Sequence, residues 1–165
     1  MHTGTRCPVS KPRGVSRPQG RGGFTLIELL TVVVVMGILA TIGVARTKYV
    51  SEQARTTRAI GDIRAITNDV QAYQAASPGH ALPPGLSDID RAGLLDPWGR
   101  PYIYVLFSVG GTPRTDVFGI DLNSEFDIYS MGPDGASAIS ITAGASQDDV
   151  VMAGDGGFIG RASRY

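Results

Sequence analysis

Acidic side chains gather in a glycine-rich stretch near the end of the chain, where they could hold a metal ion. Four aspartates lie within residues 132–155, and no histidine or cysteine accompanies them: Asp134, Asp148, Asp149 and Asp155. Oxygen ligands without nitrogen or sulfur suit calcium rather than zinc. The stretch therefore predicts a calcium site, and ordinary turn-forming aspartates are the alternative interpretation.

A second candidate is Glu28, the single carboxylate inside an apolar run from Phe24 to Ala45. A charge at membrane depth is costly and is usually functional. A tolerated charge near the membrane interface is the alternative. The run is roughly 33 Å long as a helix, which is enough to cross a bilayer. We therefore predict that residues 24–45 form a transmembrane or fibre-core helix.

The charge of the chain is divided between its two ends. The formal net charge is zero, yet every charged residue of 1–23 is basic, so the remainder is acidic. An acidic product argues against nucleic-acid binding, which needs lysine and arginine to neutralise phosphate. Residues 1–23 are interpreted as a basic leader that is removed. The only cysteine, Cys7, lies in that leader, so no internal disulfide is expected.

The leader does not fit an ordinary secretory signal. Such a signal has a shorter apolar stretch followed by a small-x-small cleavage site, whereas here the natural break precedes the run, at Gly22-Gly23. The basic flank predicts a cytoplasmic N-terminus and an outside-facing C-terminal domain. The 165 residues leave room for one modest domain after the targeting segment.

Residues 46–76 turn polar but keep a helical period. One stripe of the predicted helix is apolar and the other faces are charged, which indicates an amphipathic helix packed on a domain. The residues of the stripe are Ile60, Ile63, Ile66, Val70 and Tyr73. Ser77-Pro78-Gly79 should end the helix.

Residues 77–165 are predicted to form a loop and sheet domain. Three segments have strand patterns: Pro101 to Phe107, residues 115–120, and Phe126 to Met131. Asp96-Pro97-Trp98-Gly99 has the chemistry of a tight turn, and we expect Trp98 to cover the helix stripe. The predicted fold class is α+β: a long N-terminal helix packed on a small antiparallel sheet of about three strands, with a C-terminal loop region.

The segment around Glu28 carries a family resemblance. Gly23-Phe24-Thr25-Leu26-Ile27-Glu28-Leu29-Leu30 resembles the cleavage and methylation signature of type IV pilins and type II secretion pseudopilins. The resemblance implies a type IV pilin-like fold, cleavage by a prepilin peptidase between Gly23 and Phe24, and methylation of the new Phe24 amine. It also implies that Glu28 pairs with that amine on a neighbouring subunit. Opposite charges buried in a bundle offset their desolvation only when paired.

Three later segments narrow the resemblance. Residues 96–102, 126–135 and 148–150 are similar to the major, G-type pseudopilins of type II secretion. That similarity implies a calcium ion held by four groups: the Met131 carbonyl, the Asp134 side chain, a carbonyl near Ser146 or Gln147, and Asp148 or Asp149.

The resemblance implies a structural subunit rather than an enzyme. Copies would polymerise into a periplasmic pseudopilus that drives type II secretion across the outer membrane. The expected partners are further copies of the chain, minor pseudopilins, an inner-membrane assembly platform, the prepilin peptidase and the membrane itself. The expected location is the bacterial inner membrane, crossed once. The alternative is a type IV pilin or minor pilin in adhesion, motility or DNA uptake. The aspartates lack a nucleophile motif, which disfavours catalysis.

Overall fold

The computed structural model describes residues 23–165, and for residues 42–47 it describes only the helical backbone. The first element, α1 (Leu26–Ala76), is 51 residues long. The chain divides into two compact units between Ile42 and Gly43. Residues 1–22 of the predicted leader lie outside the described residues.

The described part of the first unit exposes its side chains throughout residues 23–41. Many of these side chains are large and apolar, and contiguous apolar surface of this kind marks an interaction site. In the parts of the chain that the structure describes, no helix is long and apolar enough to cross a membrane. The predicted span, 24–45, runs into residues whose side chains are not described, and it stays a prediction.

The second unit uses its part of α1 as one side of the core. Ile63, Ile66 and Val70 are fully buried, and Ile60 packs partly buried beside them. The predicted apolar stripe is therefore confirmed at these positions. The helix ends at Ala76, as predicted, and the chain turns at Gly79 with a φ of 73°.

The other side of the core is a four-stranded antiparallel sheet with its strands in chain order. Its strands are β1 (Ile103–Leu106), β2 (Phe126–Ser130), β3 (Val150–Ala153) and β4 (Phe158–Arg161). Ile128, Val150 and Met152 face the helix stripe, and a smaller apolar cluster forms around Val151 and Ala153. Both faces of β3 are thus buried, which explains its run of four apolar residues without alternation.

The predicted α+β class is confirmed, but the expected strands need two corrections. Residues 115–120 do not form a strand; Thr115 makes only isolated bridges. The Asp116 carboxylate accepts the backbone N–H groups of Phe118 and Ile120 at 2.7 and 2.9 Å, so local turn chemistry outweighs the apolar pattern. The region predicted as a C-terminal loop contains β3 and β4, so the sheet has four strands instead of about three.

The predicted turn at Asp96–Gly99 is confirmed and joins the sheet to the helix. The Gly99 N–H donates to the Asp96 carbonyl at 2.9 Å, and the Ser130 hydroxyl on β2 donates to the Asp96 carboxylate at 2.6 Å. Trp98 packs against the core, as expected. Its indole N–H also donates to Glu52 on α1 at 3.1 Å, so the turn contacts both sides of the core.

Candidate functional site

The predicted cleavage site lies where the chain enters α1. Gly23, Phe24 and Thr25 are exposed and non-helical, and the helix begins at the next residue. Exposed backbone outside regular structure is the usual substrate for proteolysis. The peptide bond between Gly23 and Phe24 is therefore accessible, and cutting it leaves every helical residue in place.

Glu28 stands in the first turn of α1 and interacts with the residue that caps it. The Glu28 N–H donates to the Thr25 hydroxyl oxygen at 3.3 Å, and that hydroxyl donates to the Glu28 carboxylate at 3.5 Å. This arrangement is close to a capping box, and the acidic charge also suits the positive end of the helix dipole. Thr25 was not singled out from the sequence, although the Thr-x-x-Glu spacing is the signal that identifies such a cap.

The second predicted site, the C-terminal loop, brings two of its aspartates together. The Asp134 N–H donates to the Asp148 carboxylate at 3.2 Å. Gly132 makes this approach possible because its φ is 61° and a Cβ there would lie 2.5 Å from the Asp148 carbonyl oxygen. The Met131 carbonyl of the same loop accepts the Gly135 N–H at 3.1 Å.

Two other residues of the predicted ligand set are engaged elsewhere. Asp149 is fully buried and forms an ion pair with Arg114 at 2.7 Å. The Ser146 hydroxyl donates to the Ala138 carbonyl and accepts the Ala138 N–H, at 3.1 and 2.9 Å. The Ser146 carbonyl accepts the Asp149 N–H at 3.2 Å.

Asp155, the last of the four aspartates, lies away from the loop. Its carboxylate accepts the Ser124 N–H at 2.8 Å, and its own N–H donates to the Asn123 side chain at 2.8 Å. It adopts a φ of 51° in the turn between β3 and β4. The interpretation as an ordinary turn residue therefore holds for Asp155.

Part of the predicted calcium ligand set already has partners within the domain, and the calcium site stays a prediction. Calcium takes six to eight oxygens. In this chain the Asp149 carboxylate binds Arg114, and the Ser146 carbonyl accepts the Asp149 N–H. Over the described chain, 23–165, no group of three or more histidine, cysteine or acidic side chains is placed to hold a metal. Asp134 meets Asp148 through its backbone N–H, and its own carboxylate accepts the Ala136 N–H at 2.8 Å.

Sequence reasoning missed Arg114, which is the centre of a buried polar network. Its Nη1 donates to Ser137 at 2.9 Å, and its backbone N–H donates to Asp127 at 2.7 Å. Burial raises the pKa of Asp149 and of Asp127, while hydrogen bonds to both carboxylates act in the opposite direction. An isolated arginine in a loop has no sequence pattern that distinguishes it from a surface arginine, so no signal could have found it.

Comparison with known proteins finds similarity both in the N-terminal segment and over most of the chain. The family described as "Prokaryotic N-terminal methylation motif" matches residues 19–44. Over 134 residues the chain is 36% identical to the "Type II secretion system core protein G" of Pseudomonas aeruginosa, covering 70% of this chain and 85% of that protein.

Proteins of the same name in two other bacteria are also similar. The Escherichia coli K12 protein is 27% identical over 68% of this chain and 82% of its own length. The Aeromonas hydrophila protein is 29% identical over 64% of this chain and 85% of its own length. No solved structure matches the chain significantly. The similarity therefore extends well beyond the N-terminal motif and into the sheet domain.

Proposed function

This chain belongs to the family of type II secretion system core protein G, the major pseudopilin, and we propose how it is processed, anchored and assembled. It is a pilin-like structural subunit of the secretion system and works together with the other secretion components. The observation that carries this assignment is the agreement between the relatives and the motif at the entry of α1.

Processing begins at the entry of the helix. A prepilin peptidase cuts between Gly23 and Phe24, and the new amine of Phe24 is methylated. The exposed, non-helical backbone at these residues supports this step. Thr25 then caps the helix immediately after the cut, so the mature chain begins with α1 already formed.

Polymerisation would bury the exposed apolar residues of 24–41 against the same segment of neighbouring copies. Each square ångström of apolar surface removed from water contributes about 25 cal/mol, so a segment of this length supplies a strong drive for association. Glu28 would enter the same apolar surroundings, where a lone carboxylate is costly. Its pairing with the Phe24 amine of a neighbour compensates that cost and fixes the register between subunits.

The proposed location is the bacterial inner membrane, with a cytoplasmic N-terminus and a periplasmic C-terminal domain before assembly, and the periplasmic pseudopilus afterwards. The basic residues of 1–23 and the acidic remainder support this orientation. The proposed partners are further copies of the chain, minor pseudopilins, the inner-membrane assembly platform and the prepilin peptidase. No role in nucleic-acid binding is proposed. The pseudopilus drives folded proteins across the outer membrane.

A deletion and complementation experiment tests this function. The gene is deleted in its native host, and exoprotein release into the medium and twitching motility are measured. We expect release to stop, twitching to persist, and the intact gene to restore release. Loss of twitching with normal release would instead identify a type IV pilin.

A variant at the cut site tests the processing step. Gly23→Leu should keep the leader on the chain, visible as a larger product on a gel, and should reduce release. The matched control is Gly144→Leu, because Gly144 is exposed and a Cβ there meets no other atom within 4 Å. Normal cleavage of the Gly23→Leu chain, shown by mass spectrometry of its N-terminus, would contradict the proposed site.

A further inference from the structure

Two arginines, Arg114 and Arg100, contact the C-terminal region in which the family resemblance implies calcium. The Arg114 side chain is 4% exposed and the Asp149 side chain is fully buried, with 2.7 Å between Nη2 and Oδ2. Removing two charges from water is costly, and their attraction compensates only when the geometry is good and further hydrogen bonds are made. The remaining contacts of the pair therefore decide whether it stabilises the domain.

Those contacts are numerous. Arg114 Nη1 donates to the Ser137 hydroxyl at 2.9 Å, and that hydroxyl donates to the same Asp149 oxygen at 2.7 Å. The Arg114 guanidinium also lies over the Tyr129 ring, 4.2 Å from its centroid, which is a favourable cation–π distance. Within residues 23–165, the atoms of the pair left without a partner are Arg114 Nε and Asp149 Oδ1. Arg114 Nε is a hydrogen-bond donor and Asp149 Oδ1 is an acceptor, so each member of the pair keeps one unused group.

Arg114 also connects segments that are distant in the sequence. It lies in the connection between β1 and β2, whereas Asp149 directly precedes β3. Its backbone N–H donates to the Asp127 carboxylate on β2 at 2.7 Å, and the Asn123 side chain donates to the other oxygen of Asp127 at 2.7 Å. One residue therefore holds the β1–β2 connection, β2 and the 137–149 loop together.

The neighbouring part of the loop is held by Arg100. Its guanidinium donates to the Gly132 carbonyl at 2.6 Å and to the Pro133 carbonyl at 3.4 Å. Carbonyl and carboxylate oxygens are the groups that a calcium ion would bind. In this chain, guanidinium groups contact three such oxygens: the Gly132 and Pro133 carbonyls and the Asp149 carboxylate.

We propose that Arg114 is the built-in cation that closes the C-terminal loop on Asp149, and that the sheet domain therefore folds without calcium. The fixed guanidinium does what a bound ion does elsewhere: it brings carboxylates and polar groups from separate loops to one point. This inference is independent of the proposed role in secretion, because it concerns the folding of the domain alone.

Thermal unfolding of the full-length protein in detergent tests the inference. Trp98 is the only tryptophan and packs against the core, so its fluorescence reports on the sheet domain. We expect the same Tm, within about 1 °C, in EGTA and in millimolar calcium. If the domain had a calcium site with a Kd a hundredfold lower than the added calcium concentration, calcium would raise the Tm by several degrees. A rise of that size, or a corresponding fall in EGTA, would overturn the proposal.

Substitution of the pair supplies the second arm. Arg114→Met should lower the Tm by at least 5 °C, because it leaves the Asp149 carboxylate buried and unpaired. Arg64→Met is the matched control, since Arg64 is exposed on α1, and it should leave the Tm unchanged. A Tm of Arg114→Met equal to that of the control would overturn the proposal.

A double variant covers the case in which Arg114→Met does not fold. Replacing both charges, Arg114→Met with Asp149→Leu, removes the unpaired carboxylate and should recover a folded protein. The recovered protein should again show the same Tm in calcium and in EGTA. Calcium is also added to the single variant Arg114→Met, which keeps Asp149. If calcium raises its Tm to that of the unmodified chain in EGTA, an ion can replace the guanidinium, which would support the role of Arg114 as a cation.

Discussion

The two halves of α1 carry similar apolar side chains in opposite surroundings. Ile38 is 58% exposed, whereas Ile63 is fully buried against the sheet. The first half is apolar on every face, and the second half is apolar along one stripe only. The two halves of one helix therefore depend on different contacts. The second half is completed by this chain's own strands, and the first half, on our proposal, is completed by other molecules.

The largest expected effect separates the two halves by function. Glu28→Gln should reduce exoprotein release to the level of the deletion strain while leaving the Tm unchanged. Glutamine preserves the helix cap with Thr25 but removes the charge that would pair with a neighbouring amine. Release and Trp98-detected unfolding are measured on the same variant.

Glu52→Gln is the control for Glu28→Gln, because it makes the same change in the second half of α1. Glu52 pairs with Arg55 at 3.0 Å, and a pair as exposed as this contributes little. Glutamine keeps a side-chain oxygen that can accept the Trp98 indole N–H. Release should therefore stay near normal. Normal release from the Glu28→Gln strain would contradict the assembly role. A lowered Tm of the Glu28→Gln protein would instead show that Glu28 stabilises the fold.

The same substitution in both halves tests the comparison energetically. Ile63→Ala should lower the free energy of unfolding by about 2–5 kcal/mol, because it opens a cavity in a packed core. Ile38→Ala should leave the unfolding of the sheet domain unchanged, since Ile38 is exposed and belongs to the first unit. Denaturant unfolding followed by Trp98 fluorescence gives both values. Equal losses would show that the first half also stabilises this domain.

Sequence patterns predicted that both halves of α1 are helical, because both signals are local. The helical period identified Ile63, Ile66 and Val70, and the motif from Gly23 to Leu30 identified the family. β3 was missed because four buried apolar residues without alternation do not distinguish a strand from other buried segments. The Arg114–Asp149 pair was missed because its members are 35 residues apart, and no spacing rule connects them.

Alkaline pH should weaken the contacts that β1 and the residue before it make with α1 and with the loop that follows α1. The Tyr102 hydroxyl donates to Asp62 on α1 at 2.8 Å, and the Tyr104 hydroxyl donates to the Pro83 carbonyl at 3.0 Å. Burial, together with the nearby acids, raises the pKa of Tyr102, and burial raises the pKa of Tyr104 to about 12. An unfolded tyrosine has a pKa of about 10. The stability from these groups is therefore fully present below pH 10 and is lost as the pH rises towards 12.

The variant Tyr104→Phe should weaken this pH dependence. Its Tm should fall less between pH 10 and 12 than the Tm of the unmodified chain, measured by far-ultraviolet circular dichroism. Tyr49→Phe is the control, because Tyr49 is exposed on α1. A slope unchanged by Tyr104→Phe would assign the alkaline loss to other groups, with Tyr102 tested next in the same way.

A smaller effect is expected at the contact between Trp98 and Glu52, near the start of the second half of α1. Trp98→Phe keeps most of the apolar contact but removes the indole hydrogen bond to Glu52, which should cost about 0.5–1.5 kcal/mol. Because Glu52 lies well before Ile63 on the helix, hydrogen exchange should become faster for amides near residue 52 and stay slow near residues 63–70. Equal acceleration near residue 52 and near residues 63–70 would mean that the second half of α1 opens as one unit. The whole core, rather than the contact between Trp98 and Glu52, would then hold this part of the helix on the sheet.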